Sequence, residues 1–159
     1  MPGTRVQLLG GIDESGGVGV KRAVFEEWLQ AGHLEYLGTS DNVAEHIGRA
    51  DCVVLPSYRE GTPKTLLEAA AMGKPVVTTD VPGCRETVVD GRSGLLCEVR
   101  NAQDLAAKML QVLRLPAAEL EQMGQAGRRL AEEKFDEQLV LDKYLRVVEE
   151  VTAHRRAAS

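Results

Sequence analysis

Short apolar runs alternate with segments of helical periodicity through the first two thirds of the chain. The apolar runs, each short enough for one strand, are Arg5–Gly11, His33–Gly38, Cys52–Pro56, Lys74–Thr79 and Leu95–Val99. Segments in which apolar residues recur every three or four positions, as on one face of a helix, are Val20–Gly32, Asp41–Ala50 and Thr62–Gly73. This alternation predicts an α/β fold that is Rossmann-like, with a mostly parallel sheet and helices on both faces.

The same pattern predicts which elements are buried. Arg5–Gly11, Cys52–Pro56 and Lys74–Thr79 are largely continuous apolar runs, so we expect buried strands, with the second covered on both faces. In the first helix, Val20, Val24 and Trp28 should share the apolar face. The glycine-rich segment Gly11–Gly19 is predicted to be a loop.

The predicted helix Thr62–Gly73 has boundary residues at both ends. Thr62 can cap it, and Pro63 fits the first helical position. Gly73 fits the left-handed conformation that ends many helices, and Pro75 prevents continuation. We therefore expect the loop before this helix to end at Thr62.

Beyond Val99 the pattern is helical. Asn101 can cap Ala102–Leu115, Pro116 opens residues 117–135, and Asp136 opens a C-terminal helix over residues 136–153. In this last helix Val140, Tyr144, Val147 and Val148 lie along one face.

Composition and charge narrow the class of protein. The chain has 159 residues, 43% of them hydrophobic and 27% charged, which predicts a single globular domain over residues 1–159. The net charge of −5 argues against nucleic-acid binding. We find no apolar run of the about 18 residues that a membrane helix needs and no signal peptide, so we expect a cytoplasmic protein. The basic cluster His154 to Arg156 is expected to be a solvated tail, giving at most peripheral contact with the inner face of a membrane.

The three cysteines are Cys52, Cys84 and Cys97. Their odd number and wide spacing favour reduced, mostly buried thiols over disulfides or a zinc site.

The segment Ser57 to Thr62 is a candidate ligand-binding loop. It follows a predicted strand and precedes a predicted helix, and ligands of open α/β sheets bind at the carboxyl ends of strands. The first amides of the helix lack partners within it and favour an anion such as phosphate. Gly61 allows a ligand to approach the backbone closely.

Two glutamates flank this helix start, Glu60 in the loop and Glu68 within the helix. A carboxylate at Glu68 can accept hydrogen bonds from a ribose diol, and Glu60 can reach the hydroxyls of a sugar beyond the phosphates. The alternative is that both are ordinary solvated charges. Because Glu68 is the one charged residue in the apolar stretch Leu66–Ala71, we favour a partner for it.

The segment PSYREGTPKTLLEAAAMGKPVVTTDVPGCRETVVDGRSGLL resembles the donor-binding half of retaining glycosyltransferases with the two-domain GT-B fold. The likeness includes two glutamates separated by seven residues (Glu60 and Glu68), ADCVVLPS leading into them, LEYLG upstream and a final helix after Phe135 and Asp136. That family includes sugar transferases of bacterial lipopolysaccharide, capsule and exopolysaccharide synthesis.

The resemblance implies a role for each site residue. Glu68 would bind the nucleotide ribose, and Glu60, the candidate catalytic residue, would contact the donor sugar near the reaction centre. The backbone of Gly61, Thr62, Pro63, Lys64 and Thr65 would hold phosphate and sugar oxygens, and Thr39 and Ser40 would lie against the base. The donor would be a nucleotide-sugar, UDP-linked, with no metal cofactor; the family needs no Asp-x-Asp motif, and this sequence has none.

The resemblance also has departures. Thr62 and Pro63 stand where the family usually has a bulky apolar residue and a glycine, and Lys64 could reach a phosphate or remain solvated. Family members are about twice as long, with an N-terminal acceptor domain for a glycan or lipid-linked acceptor, and a basic clamp on the pyrophosphate that we do not find here. We therefore expect a fragment that is inactive alone.

Three alternatives stay open at this point. The chain could belong to a nucleotide-sugar 2-epimerase, or it could be a non-catalytic nucleotide-binding or assembly module. Within the PGCRE segment, Arg85 or Glu86 could line the same cleft as Glu60, or form a salt bridge within their own turn.

Overall fold

The computed structural model describes residues 3–12 and 20–157, and the chain divides into two compact units, Met1–Val43 and Ala44–Ser159. The single-domain organisation of residues 1–159 stays a prediction. Of the predicted loop Gly11–Gly19, residues 13–19 lie outside the described residues.

The first unit contains two parallel strands and one helix. They are β1 (Gln7–Leu9), α1 (Arg22–Gln30) and β2 (Glu35–Gly38). Phe25 of α1 is buried and packs edge-on against the ring of Tyr36, with 5.2 Å between ring centroids. The Tyr36 hydroxyl donates to the carbonyl oxygen of Gly10 at 2.8 Å, which ties the strand end to β2.

Two burial predictions for this unit are wrong. β1 is a strand, but Leu8 is 45% exposed, because an apolar run forms a buried strand only where other elements cover it. Val20 precedes α1 and Trp28 is exposed, so the buried face of the helix centres on Phe25 instead. The predicted helix was too long by two residues at its start.

The second unit holds a three-stranded parallel sheet, in which the strands lie side by side in chain order. Its elements are α2 (Val43–Arg49, whose first residue belongs to the first unit), β3 (Val53–Leu55), α3 (Lys64–Ala71), β4 (Val76–Thr79), a 3₁₀ turn (Arg85–Thr87), β5 (Gly94–Cys97), α4 (Ala102–Leu113), α5 (Ala117–Lys134) and α6 (Glu137–Ala157). Parallel strands with flanking helices confirm the predicted α/β class.

The core of the second unit lies around β4, whose four residues are all buried. Val77 packs with Leu95 of β5 and Val112 of α4. Because alternate residues of a strand point to opposite faces, complete burial of β4 means that both faces are covered.

β3 differs: its residues are only half-buried, so the prediction of a strand covered on both faces is wrong for Cys52–Pro56. β3 is an edge strand of this sheet.

α3 packs against α5 as well as on the sheet. Leu66, Ala69 and Ala70 are buried on its inner side. α3 ends as predicted, with Gly73 in the left-handed region at φ 65°. A side chain on Gly124 of α5 would overlap the Gly73 carbonyl oxygen, so the helices meet through glycine backbone.

α4 and α5 begin at the predicted residues, Ala102 and Ala117, and α6 begins at Glu137, one residue after its predicted start. The Asn101 side chain accepts a hydrogen bond from the Asp104 N–H at 3.0 Å and so caps α4. α6 is longer than the predicted residues 136–153, and its predicted face is exposed: Val140, Tyr144, Val147 and Val148 are each more than half exposed. Within residues 3–12 and 20–157, no helix is long and apolar enough to cross a membrane.

Candidate functional site

Three loops meet at the carboxyl edge of the β3-β4-β5 sheet. They follow Leu55, Thr79 and Cys97, the last residues of the three parallel strands. The loop after β3 is contacted by the end of β4 and by both other loops: the Thr79 hydroxyl donates to Ser57, Gly83 lies against Gly61, and the Arg100 guanidinium lies over the Tyr58 ring. The loop that the sequence singled out is therefore held by both of its neighbours.

Glu60 is held by a side chain of its own loop. The Ser57 hydroxyl donates to Glu60 Oε1 at 2.5 Å, and both residues are half-buried. The carbonyl oxygen of Ser57 accepts a hydrogen bond from the hydroxyl of Thr79, which is 4% exposed. Glu60 is thus not a freely solvated charge, and one of its two carboxylate oxygens remains for a further donor.

The backbone beside Glu60 packs against the loop after β4. Gly83 has φ 84°, and a Cβ built on it would overlap the carbonyl oxygen of Gly61 and come within 2.7 Å of the Glu60 carbonyl oxygen. Only glycine fits this crossing, for reasons both of space and of backbone conformation.

The start of α3 differs by one residue from the prediction. Pro63 is the N-cap, with ψ 114°, and Thr62 lies outside the helix and makes no capping bond. The physical reason is that Pro63 keeps an extended ψ, so the helix begins at Lys64. The first helical bonds run from the N–H groups of Leu66 and Leu67 to the Pro63 carbonyl oxygen. The N–H groups of Lys64 and Thr65 therefore precede the helical series, as expected of the anion-binding end of a helix.

Glu68 lies one turn further along α3, with its side chain 32% exposed. Its partner is Lys64, whose Nζ is 3.5 Å from Glu68 Oε1 and whose side chain is 88% exposed. This is an i, i+4 pair at the surface, which adds about 0.5 kcal/mol or less to helix stability. The pair leaves most of the hydrogen-bonding capacity of the Glu68 carboxylate unused.

Thr39 and Ser40, assigned to the base, lie in the first unit directly after β2. Thr39 is exposed, and the Ser40 hydroxyl oxygen accepts a hydrogen bond from the Asn42 N–H at 3.0 Å. Their assignment to the base stays a prediction.

Sequence reasoning missed Arg100 and Tyr58. Arg100 has φ 61°, a positive value that no other non-glycine residue shows in the part of the chain described. Its guanidinium carbon lies 5.3 Å from the centre of the Tyr58 ring, within cation–π range. No local signal predicts an arginine in the left-handed region, because that conformation depends on contacts made by the folded chain.

For the PGCRE segment, the structure favours the local alternative. Arg85 Nε lies 2.7 Å from Asp80 Oδ1, and Arg85 Nη2 donates to the Asp80 carbonyl oxygen at 3.1 Å. Arg85 therefore forms a salt bridge within its own turn.

The three cysteines are free, as predicted, with Cys84 and Cys97 buried and Cys52 half-buried. Burial raises the pKa of the Cys52 thiol to about 12 and also raises that of Cys97. These thiols are therefore protonated at neutral pH and poor nucleophiles. Across the residues that the structure describes, no three His, Cys, Asp or Glu side chains are grouped as a metal site.

Comparison with protein families identifies the chain. Residues 19–130 match the sequence model of the family described as Glycosyl transferases group 1. The match covers more than half of the 159 residues, and the chain therefore belongs to this family.

Curated relatives share this region. The chain is 33% identical over 144 residues to N,N'-diacetylbacillosaminyl-diphospho-undecaprenol alpha-1,3-N-acetylgalactosaminyltransferase of Campylobacter jejuni, which covers 91% of this chain and 36% of that protein. It is 38% identical over 120 residues to glycogen synthase of Mycobacterium tuberculosis, covering 76% of this chain and 28% of that protein. The chain thus spans about a third of the length of these relatives.

Solved structures confirm the fold. Sucrose-phosphate synthase from Thermosynechococcus elongatus matches with a TM-score of 0.80 at 26% identity, over 94% of this chain and 39% of that one. HepE from Anabaena, solved in complex with UDP, matches with a TM-score of 0.78 at 21% identity, over 96% of this chain and 42% of that one. The prediction of an α/β fold matching part of a GT-B glycosyltransferase is confirmed.

Proposed function

We propose that this chain binds the nucleotide-sugar donor of a retaining glycosyltransferase, a UDP-linked hexose. The observation that carries the proposal is the placement of Glu60: it is hydrogen-bonded by Ser57 in a loop held at the carboxyl edge of the sheet, immediately before the free amides of α3. Loop, carboxylate and helix start together offer groups of the kind that a sugar diphosphate needs.

Each part of the donor has a candidate partner in this arrangement. Phosphate oxygens would be held by N–H groups of the segment Gly61 to Thr65, of which Pro63 supplies none. The ribose diol would bond to Glu68, whose carboxylate is half-buried but only weakly engaged by Lys64. The free oxygen of Glu60 would take a hydroxyl of the sugar.

Transfer in such a site depends on positioning and electrostatics. Amides at the helix start stabilise the diphosphate as it gains negative charge on leaving the sugar. Glu60 holds the sugar and opposes positive charge at the anomeric carbon. Holding the reacting groups in the correct orientation lowers the barrier further, since their orientational entropy is lost on binding. No metal ion is needed for these steps.

The acceptor class is taken from relatives. The Campylobacter jejuni protein is named for a diphospho-undecaprenol substrate, and a Staphylococcus aureus relative, 33% identical over 90 residues, is named for capsular polysaccharide biosynthesis. By analogy, we propose transfer to a glycan or lipid-linked acceptor in cell-envelope polysaccharide synthesis, in the cytoplasm or at the inner face of the membrane.

Titration calorimetry of this chain with UDP, GDP and dTDP tests the donor proposal. We expect UDP to bind, and Glu68→Ala to weaken binding at least tenfold, since a hydrogen bond to a charged group contributes about 1.5–3 kcal/mol. The matched control is Glu132→Ala, which breaks another i, i+4 pair, Arg128 with Glu132, on α5. Equal effects of the two variants, or no nucleotide binding at all, would favour an assembly module; preference for GDP or dTDP would correct the base alone.

A further inference from the structure

We infer that Ser57 and Thr79 are positioning residues that orient the Glu60 carboxylate toward the donor sugar, an inference that rests on the proposed function. The geometry is a chain of two hydrogen bonds. The Thr79 hydroxyl donates to the Ser57 carbonyl oxygen, and the Ser57 hydroxyl donates to Glu60 Oε1 at 2.5 Å. Buried strand β4 is thereby connected to the carboxylate through one residue.

The first bond compensates for a break in the strand ladder. β3 ends at Leu55, and Pro56 has no N–H with which to continue the ladder. Thr78 and Thr79 then use their hydroxyls: Thr78 donates to the Leu55 carbonyl oxygen at 2.8 Å, and Thr79 donates to that of Ser57. Both threonines are at most 4% exposed, so the side chains that hold the loop belong to the best-packed strand.

The second bond determines which carboxylate oxygen is free. An ionised carboxylate accepts from several donors, and the Ser57 hydroxyl uses Oε1. Glu60 Oε2 is left for a ligand hydroxyl. Without the Ser57 hydroxyl, the side chain would sample other rotamers, and the sugar would have to order it on binding. The effect should therefore appear in binding of the sugar and not of the nucleotide.

Paired titrations isolate that effect. The dissociation constants of UDP and of the tightest of UDP-glucose, UDP-N-acetylglucosamine and UDP-N-acetylgalactosamine are measured, and their ratio reports what the sugar adds. Ser57→Ala should weaken binding of the sugar nucleotide three- to tenfold relative to binding of UDP. The affinity for UDP itself should stay within twofold of wild type. Ser57→Thr should restore the ratio. Thr79→Val and Thr79→Ser form a second pair with the same expectation, in case Ser57→Ala unfolds the loop.

Ser93→Ala is the matched control. Ser93 is 3% exposed, and its hydroxyl oxygen accepts from the Val89 N–H at 2.8 Å, directly before β5 and so at the opposite end of the parallel strands. Its loss should leave the ratio unchanged. In a Glu60→Ala background, Ser57→Ala should have no further effect, because its action runs through that carboxylate.

The outcomes separate this inference from the proposed function. A ratio that Ser57→Ala leaves unchanged in a folded chain overturns the inference, while UDP binding that depends on Glu68 still supports the donor site. A further loss in the Glu60→Ala background overturns it as well, since Ser57 would then act elsewhere. If the wild-type chain prefers GDP or dTDP, the same ratio is measured with the sugar nucleotides of that base; if it binds no nucleotide, both the function and the inference are wrong.

Discussion

Gly83 lies so close to Gly61 that no side chain can separate them. A Cβ on Gly83 would overlap the Gly61 carbonyl oxygen and lie 2.7 Å from both the Gly61 carbonyl carbon and the Glu60 carbonyl oxygen. The loop after β4 therefore packs directly against the backbone of the Glu60 loop. A side chain added at Gly83 would displace the residues that flank the candidate catalytic carboxylate.

We expect Gly83→Ala to displace the Glu60–Gly61 segment. Overpacking against rigid backbone should destabilise the chain by more than about 2 kcal/mol and lower UDP-sugar affinity at least tenfold. Gly91→Ala is the control, because Gly91 also has a positive φ, 73°, but nothing lies within 4 Å of its Cβ position. It should cost only about 1 kcal/mol and leave affinity unchanged. Equal unfolding free energies for the two variants would show that backbone strain, not crowding, dominates at Gly83.

Two roles of Lys64, phosphate binding and competition with ribose for Glu68, predict opposite changes in ligand affinity. If the Lys64 side chain binds a donor phosphate, Lys64→Met should weaken UDP binding several-fold and leave uridine binding nearly unchanged. If it only competes with ribose for Glu68, the variant should bind both ligands more tightly. Surface ion pairs of this kind contribute about 0–1 kcal/mol, so thermal stability should barely change. Calorimetry of wild type and Lys64→Met with UDP and with uridine, at low and high salt, measures these changes in affinity.

The contact between α3 and α5 gives a stability prediction away from the site. Gly124→Ala should destabilise the chain by about 1–3 kcal/mol, because the new methyl overlaps the Gly73 carbonyl oxygen and lies 2.7 Å from its carbon. Gly127 is on the same helix, with its nearest neighbour at 3.6 Å. Gly127→Ala should therefore be neutral or stabilising by up to about 1 kcal/mol, through helix propensity. Urea unfolding midpoints of the two variants measure these changes in stability. A loss of stability in both variants would argue against contact with the Gly73 backbone as the cause.

Local features of the fold were predictable from sequence because they depend on neighbouring residues. Gly73 ends α3, Asn101 caps α4, and apolar runs mark the strands. The hydrogen bond between Ser57 and Glu60 is also local, since the two residues are three positions apart, but it was not predicted.

What the sequence did not predict depends on contacts between distant residues. An apolar run shows that a strand can be buried, but the exposed β1 and the half-buried β3 depend on what lies beside them in the fold. The crossing of Gly83 over Gly61 and the left-handed Arg100 likewise join loops from different strands. The assignments of Glu60 and Glu68 to sugar and ribose remain predictions, since they concern a ligand rather than the fold.

Cys52 gives a prediction for alkaline pH. The thiol packs against the buried Val77, Leu95 and Val112, and burial raises its pKa to about 12. In the unfolded chain the Cys52 thiol ionises near pH 8.5, so above that pH the unfolded state has lost a thiol proton that the folded state keeps. The unfolded state then binds fewer protons, and the free energy of unfolding falls as pH rises from about 8.5 toward 12.

Replacing the thiol should remove part of this pH dependence. The unfolding free energy of Cys52→Ala should be lower than that of wild type at pH 7, because a buried group is lost, but the gap should narrow steadily from pH 8.5 to 10.5. Urea unfolding across this range measures it. Alkylation by iodoacetamide provides the independent check: at pH 8.5, Cys52 should react far more slowly in the folded chain than in urea, because the thiolate is the nucleophile. Rapid labelling of Cys52 in the folded chain would mean that the thiol is not held in the apolar core.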